Sequence, residues 1–344
     1  MRVLTILPLI AAVLAHKEAT TTEEKAVEKA LRDAAYLCAP AVGDFTAARK
    51  RAFAQKALGS AGQPSLADYD ELFAQETLQI GGPDKEFLSC QTVQDTHIEN
   101  NTCVLAPEVT EGPYYHTQGH PIRQNIAENQ DGLLLLLDIG VIDVETCKPV
   151  PNVLVDIWLA NATGHYAGHP DPAPHLVDEQ PQIGGSRSGL LSAFPRTQPK
   201  ETWLRGAWAT DRNGVAQFTS IYPGYYTGRA THIHTKVFPE WEVIPENNTF
   251  ASGRLAHVGQ FFFEDDVNMV VDKMHPYSEN PIRHTRGRTR NWRDSLNIFD
   301  DSHKNGYNPV FKTHFLGGVV SQGLVAYITM GVNMSASYDN FWKG

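Results

Sequence analysis

The feature that most constrains the fold is a series of short apolar runs in the second part of the chain, separated by turn residues. The runs are rich in β-branched, leucine and aromatic residues, which fit a pleated and largely buried sheet. No helical segments alternate with them, which argues against a parallel α/β sheet, and an antiparallel two-sheet β-sandwich is predicted. The predicted strands are Leu133–Asp143, Val153–Trp158, Val215–Ile221, Ala230–Phe238, Val258–Phe263 and Gly323–Val332.

The N-terminal part of the chain has a helical pattern instead. Apolar residues recur with a helical period in Thr20–Leu37, Asp44 is a good N-cap for a second helix that ends at Leu58, and Pro64–Leu78 resembles a third helix. We therefore predict a helical region at 16–95, followed by the sandwich domain at 102–337. The apolar stripes of the helices should pack on the sandwich or on a second copy, which would make a homodimer.

The first residues have the pattern of a secretory signal peptide. Arg2 precedes an apolar run that ends in the small-residue site Val13-Leu14-Ala15, so residues 1–15 should be removed on export. That run is too short to span a membrane, and no later segment is long and apolar enough. The net charge of −10 argues against a nucleic-acid surface, which needs a basic stripe. We expect a secreted, extracellular protein.

Four cysteines form an even set, which predicts two disulfide bonds in an oxidising compartment. The sequence does not determine their connectivity. The pairing that we favour joins Cys103 to Cys147 within the sandwich and Cys38 to Cys90 within the helical region.

Asn-x-Ser/Thr sequons begin at Asn100, Asn247 and Asn333, which fits a secreted glycoprotein. A further sequon begins at Asn161, inside a motif described below, and we expect it to stay unmodified. The long Pro-, Gly- and Ser-rich loop at 168–204 has no periodicity, and its role stays open.

The stretch with the clearest chemical character is Pro223–Val237, PGYYTGRATHIHTKV. His232 and His234 are two residues apart in a β-rich run, so a strand would place both imidazoles on one face. Such a pair can offer two nitrogen ligands to a metal ion, although similar pairs also lie on polar sheet faces without a metal. Tyr226 and Arg229, just before them, add an oxygen donor and a cation. The stretch is therefore a candidate metal site.

Four motifs, in this order along the chain, resemble those of the intradiol ring-cleavage dioxygenases, the non-haem iron enzymes that cleave catechol and protocatechuate. They are G-P-x-Y at Gly112–Tyr115, W-x-A-N-x-x-G-x-Y at Trp158–Tyr166, P-G-x-Y with R-x-x-H-x-H at Pro223–His234, and the strand glutamine Gln260. The resemblance covers roughly Cys103–Val332. A single motif would be unspecific, but four in the right order are highly specific.

The resemblance implies a role for each matched residue. One Fe(III) ion per chain would be bound by Tyr166, Tyr226, His232 and His234. Tyr226 would leave the iron when the diol arrives and take one substrate proton.

The other matched residues would act around the metal. Arg229 would stabilise negative charge that develops on the ring and oxygens, and Gln260 would support the ligands from the neighbouring strand. Pro113 and Tyr115 would line the substrate pocket.

Each residue taken singly also has a structural explanation. Tyr166 could be a turn aromatic and Tyr226 a corner tyrosine of a sandwich. Arg229 could be a surface ion-pair partner, and Gln260 an exposed strand residue. The order and spacing of the motifs favour the shared site over these separate explanations.

The chemistry of the ligand set is consistent with ferric iron. Fe(III) is a hard cation that favours anionic oxygen, and two phenolates offset much of its charge.

The predicted function is a secreted oxidoreductase in aromatic catabolism, which cleaves a small catechol-type diol between its hydroxylated carbons with O2 and gives cis,cis-muconate-type products. The alternative is a non-catalytic secreted β-sandwich that binds a partner on the same scaffold. Another metal, such as zinc, is an intermediate case.

Overall fold

The computed structural model describes residues 21–58, 109–169, 200–296 and 298–338, apart from positions 110, 113, 117, 118, 300, 301, 303–307 and 318. In chain order, the helices and strands are α1 (Thr22–Leu58), β1 (Leu134–Asp143), β2 (Lys148–Pro149), β3 (Leu154–Leu159), β4 (Arg205–Ala209), β5 (Val215–Ile221), β6 (His232–Phe238), β7 (Trp241–Ile244), β8 (Thr249–Ser252), β9 (His257–Phe262), α2 (Asp265–Val271), β10 (Lys312–Phe315) and β11 (Leu324–Val332). Short 3₁₀ helices lie at Tyr277–Glu279, Asn291–Arg293 and Val320–Gln322.

Two main sheets form a β-sandwich, as predicted. Sheet I has the order β10-β11-β1, with β5 and the short β2 pairing along the other edge of β1. Sheet II has the order β4-β3-β6-β9 and is antiparallel throughout. Strands β7 and β8 form a separate hairpin. The β1–β11 pair is parallel, so sheet I departs from a purely antiparallel pattern.

The hydrophobic core lies between the two sheets. Alternate residues of β1, such as Leu135, Leu137 and Ile139, meet alternate residues of β6, Ile233 and Val237, in one buried cluster. Because successive strand residues point to opposite faces, the other half of each strand points away from this core.

The outer faces of both sheets are covered as well. Helix α1 lies on the outer face of sheet I, where Cys38 and Val42 pack against Ile142. On the outer face of sheet II lie Trp158 of β3 and the histidines of β6, and every residue of β3 and β6 is buried. Both faces of β3 and β6 are buried, but only one of them faces the main core. The core-facing residues are apolar, and several of the residues between them are polar.

All six predicted strands are present, with ends shifted by at most two residues. Strands β4, β7, β8 and β10 were missed because RGAWA, WEVI, TFAS and KTHF are short and partly polar. The short β2 lies in a segment whose residues predict a turn.

The prediction of separate helices at Thr20–Leu37 and Asp44–Leu58 is wrong, because α1 is continuous through Pro40. Pro40 and Gly43 disfavour a helix locally, but burial of Cys38 and Val42 against the sandwich overrides that preference. The third predicted helix, Pro64–Leu78, and the boundary between the helical region and the sandwich domain lie outside the described residues. No helix in the described ranges is long and apolar enough to cross a membrane.

The predicted disulfide pairing is also wrong. Cys38 of α1 is bonded to Cys147 in the turn after β1, with a Cα–Cα distance of 5.0 Å. The prediction assumed that helical region and sandwich were separate units, whereas α1 packs on sheet I. Cys90 and Cys103 lie outside the described residues.

A buried arginine strengthens the contact between α1 and sheet I. Arg49 Nε donates to Asp138 Oδ1 at 2.7 Å, and its Nη1 donates to Thr329 Oγ1 at 2.8 Å. Its Nη2 donates to the carbonyl oxygens of Asp138 and Ile328. A buried charge destabilises the fold unless it is paired, and these contacts pair the Arg49 guanidinium. They also link α1 to both β1 and β11.

The disulfide should contribute strongly to stability because it closes a loop with a sequence separation of 109 residues. We expect the double variant Cys38→Ser and Cys147→Ser to lose about 2–5 kcal/mol of unfolding free energy. Denaturant unfolding of this variant, with reduced wild-type protein as a second sample, measures the loss. An unchanged unfolding midpoint and slope would contradict the prediction.

Candidate metal centre

Four predicted ligand atoms meet on the outer face of sheet II. Nε2 of His232 lies 3.1 Å from Nε2 of His234, 3.5 Å from Tyr166 Oη and 3.2 Å from Tyr226 Oη. Tyr166 Oη lies 3.1 Å from His234 Nε2. All four side chains are buried. Residues up to 68 positions apart in sequence therefore share one small site.

One strand and two turns build this site. His232 and His234 lie on the same face of β6, as their spacing predicts. Tyr166 lies in the turn after β3, and Tyr226 lies in the turn that leads into β6.

Two motif glycines let these turns approach each other. A Cβ on Gly164, whose φ is +93°, would lie 2.3 Å from the carbonyl oxygen of Tyr225. A Cβ on Gly224 would lie 2.3 Å from the carbonyl oxygen of Ala162. Side chains at these positions would push the two tyrosine turns apart.

The donor set fits a metal ion. His232 Nδ1 donates to the Ala230 carbonyl oxygen at 2.6 Å, which leaves the lone pair of Nε2 directed at the other three atoms. The separations of 3.1–3.5 Å between His232 Nε2 and the other three atoms are those of ligand atoms that share one ion about 2 Å from each, the usual length of a metal–imidazole bond. Within the described residues, no group of three or more His, Cys, Asp and Glu side chains could hold a metal. The candidate centre combines two imidazole nitrogens with two phenol oxygens.

Burial sets the protonation of these groups. Desolvation, with the nearby Arg229 charge, lowers the pKa of His232 well below its usual value, and desolvation with the His232 charge does the same for His234. Both imidazoles are therefore neutral and able to bind a cation. Desolvation raises the pKa of Tyr166 and Tyr226, although Arg229 partly opposes this. The phenols keep their protons until a multivalent cation displaces them.

Arg229 lies beside the four atoms and is buried. Its Nη1 donates to Tyr226 Oη at 3.3 Å, and its Nη2 donates to Gln260 Oε1. Gln260 is the register partner of His234 across β6 and β9 and is 1% exposed. Neither residue is on the surface, so a surface ion pair and an exposed strand glutamine are both excluded.

The G-P-x-Y motif contributes a tyrosine other than the predicted one. The Tyr114 ring stacks on the Tyr166 ring at 4.4 Å and meets the Tyr226 ring edge-on at 6.2 Å. The Tyr115 hydroxyl instead donates to Asp156 Oδ2 at 3.0 Å. Pro113 lies outside the described residues. The pocket roles of Pro113 and Tyr115 stay predictions, while Tyr114 contacts both candidate tyrosine ligands.

A second buried polar group lies next to the site on the same sheet face. Asp156 Oδ1 also accepts a hydrogen bond from His120 Nδ1 at 2.6 Å. The Lys236 ammonium lies 3.5 Å from the centre of the Tyr115 ring and pairs with Glu111. These contacts hold the G-P-x-Y segment against β3 and β6.

Sequence reasoning missed Trp158 and Asp294 as site residues. Trp158 stacks on His234 at 4.8 Å with an interplanar angle of 8°. Trp158 lies directly opposite His234 in the register of β3 and β6, so the two side chains share one sheet face. Aligning the two predicted strands could have found this pair. Asp294 pairs with Arg229 at 3.0 Å but lies 65 residues further along, after a basic turn-like segment that gave no local signal.

Comparisons with known proteins gave relatives of one kind. No protein-family model matches the chain. The protocatechuate 3,4-dioxygenase beta chain of Burkholderia cepacia is 28% identical over 197 residues, which are 55% of this chain and 68% of that protein. The solved intradiol ring-cleavage dioxygenase from Tetranychus urticae is 26% identical with a TM-score of 0.53, covering 69% of this chain and 98% of that one. A second solved dioxygenase gives a TM-score of 0.51 at 26% identity.

Proposed function

Because the chain is a relative of the intradiol ring-cleavage dioxygenases, we propose that it is a non-haem Fe(III) enzyme that cleaves catechol-type rings between their two hydroxylated carbons with O2. The relatives confirm the resemblance predicted from the sequence, and they support a dioxygenase in general terms. The ferric ion, the products and the export of the protein are our proposal.

One observation carries the proposal. In a buried site, His232 Nε2 lies 3.1–3.5 Å from His234 Nε2 and from the two phenol oxygens, and Tyr166 Oη lies 3.1 Å from His234 Nε2. This set offers two groups that become anionic and two that stay neutral, which suits ferric iron better than the two-His-one-carboxylate set that suits ferrous iron. The ligands would be Tyr166, Tyr226, His232 and His234. When bound, Fe(III) would supply a Lewis acid that polarises both oxygens of a diol.

The two tyrosines have different surroundings, which suggests different roles. Tyr166 is covered by the stacked Tyr114 ring, so its orientation is fixed. Tyr226 accepts a hydrogen bond from Arg229 at 3.3 Å and lies in the turn before β6. Once metal binding has removed its own proton, Tyr226 Oη is therefore the atom that we expect to take a proton from the incoming diol.

Arg229 would stabilise the negative charge that develops on the substrate. Its guanidinium stays charged throughout, so it requires no proton transfer of its own. Because Asp294 and Gln260 already hold it, the charge need not reorganise during the reaction. The overall change adds both atoms of O2 to the diol and opens the ring to a dicarboxylic acid, which requires no external reductant.

Export is supported indirectly. The proposed signal peptide at 1–15 lies outside the described residues, but the Cys38–Cys147 disulfide is typical of an oxidising compartment. Asn247 is exposed in the turn between β7 and β8, where a glycan would be accommodated. Asn161 is half-buried instead, and its Nδ2, the atom that would carry a glycan, donates to Gln130 Oε1 at 3.3 Å, which fits an unmodified sequon.

The test is to reconstitute the purified protein with ferric iron and measure oxygen uptake with a panel of catechols, together with product identification. We expect a protein coloured by phenolate-to-iron charge transfer, uptake with at least one diol, and a muconate-type product. Chelator-treated protein is the control and should take up no oxygen. A folded, colourless protein that retains no iron and consumes no oxygen would favour the non-catalytic binding module, and zinc in elemental analysis would favour another metalloenzyme.

A further inference from the structure

A single buried carboxylate holds the arginine of the candidate centre. Asp294 is 2% exposed, and its two oxygens accept hydrogen bonds from Arg229 Nε at 3.1 and 3.0 Å. Arg229 is 3% exposed, so the pair is shielded from water on both sides. With Nε held in this way, the two terminal nitrogens of the guanidinium point at Tyr226 and Gln260.

The same carboxylate also reaches one of the histidines through the backbone. Asp294 Oδ2 accepts a hydrogen bond from the Ala230 amide at 2.8 Å. The carbonyl oxygen of Ala230 lies 2.6 Å from His232 Nδ1 and is the acceptor for that ring nitrogen. Ala230 thus connects Asp294 to the imidazole whose Nε2 points at the other ligand atoms.

The segment that carries Asp294 is itself held in place. Asn291 Nδ2 donates to the Phe263 carbonyl oxygen at 2.7 Å, at the end of β9. The Ser295 amide donates to the Gly228 carbonyl oxygen at 3.0 Å, which joins this segment to the turn that contains Arg229. Asp294 is therefore fixed from both sides.

We propose that Asp294 is a positioning residue of the metal centre, which directs the Arg229 guanidinium and orients the His232 ring at the same time. This inference rests on the proposed function. A carboxylate that only neutralised Arg229 would not need its bond to Ala230, whereas a positioning residue would use both contacts. Partners of this kind fix the tautomer and orientation of metal ligands and the direction of catalytic charges.

Two variants separate the contacts, and a third serves as a control. Asp294→Asn keeps an acceptor oxygen but loses the charge, and Asp294→Ala loses both. Asp138→Asn is the matched control, since Asp138 is another buried carboxylate paired with an arginine, on the far side of the sandwich. The readouts are the dissociation constant for added Fe(III), the position of the charge-transfer absorption band, and kcat and KM with catechol.

We expect Asp294→Asn to lower kcat about 10- to 100-fold with KM and iron content near those of the wild type. Asp294→Ala should in addition weaken iron binding about 10- to 100-fold and move the absorption band, because His232 loses its support. Asp138→Asn should lower only the unfolding temperature. If Asp294→Ala does not fold, as judged by circular dichroism, the kcat of Asp294→Asn at unchanged KM and iron content decides the question.

The possible failures are distinguishable. A wild-type protein without iron, colour or oxygen uptake would overturn the proposed function, and the role of Asp294 with it. An active wild-type protein whose Asp294 variants match Asp138→Asn in kcat, iron affinity and band position would overturn the role of Asp294 alone.

Discussion

Replacing His232 with alanine should leave the protein without bound iron and lower its oxygen uptake with catechols at least about 10³-fold, equivalent to about 4 kcal/mol of transition-state stabilisation. The reason is geometric. His232 Nε2 lies within 3.5 Å of three other candidate ligand atoms, so its loss opens the buried cluster. Metal analysis and an oxygen electrode measure the two effects.

A histidine elsewhere in the fold provides the control for this substitution. His314 lies on β10, at the edge of the opposite sheet. His314→Ala should keep the iron content and the uptake rate of the wild type. If His232→Ala also kept both, the assignment of His232 as a ligand would be wrong.

Changing Arg229 to lysine should lower kcat about 10²- to 10³-fold while iron and colour are retained. Lysine keeps the positive charge near Asp294, but one ammonium cannot reach Asp294, Gln260 and Tyr226 at once as the guanidinium does. The loss should therefore fall on the chemical step, and KM should change little. Steady-state kinetics with metal analysis of the same samples tests this.

Arg254→Lys is the matched control, because Arg254 binds carbonyl oxygens of Met334 and Ala336 outside the site. Its kinetics should equal those of the wild type. An Arg229→Lys variant with an unchanged kcat would remove the electrostatic role from the proposal.

Periodic features of the sequence predicted the sandwich well. The two-residue spacing of His232 and His234 was enough to place both rings on one face, because a strand alternates its side chains strictly. The six long strands were found because each is uniformly apolar or alternates across the core. Short strands such as β7 and β10 lack either pattern, so they could be found only from their pairing.

The irregular parts of the site were predictable only in part. Tyr166 and Tyr226 lie in turns, and no periodicity relates them to β6, so their selection depended on the order of the motifs. Asp294 and Tyr114 were missed because their roles come from contacts between distant segments. The Cys38–Cys147 bond was missed for the same reason, since nothing local indicates that α1 lies against the turn after β1.

The two faces of β6 have different roles in the protein. Ile233 and Val237 contribute to folding through the core, while His232 and His234 face a separate buried layer that carries the reactive groups. A substitution on one face therefore does not itself remove the side-chain contacts of the other face. The reactive groups of the outer layer can therefore be altered while the side chains that fill the core are kept.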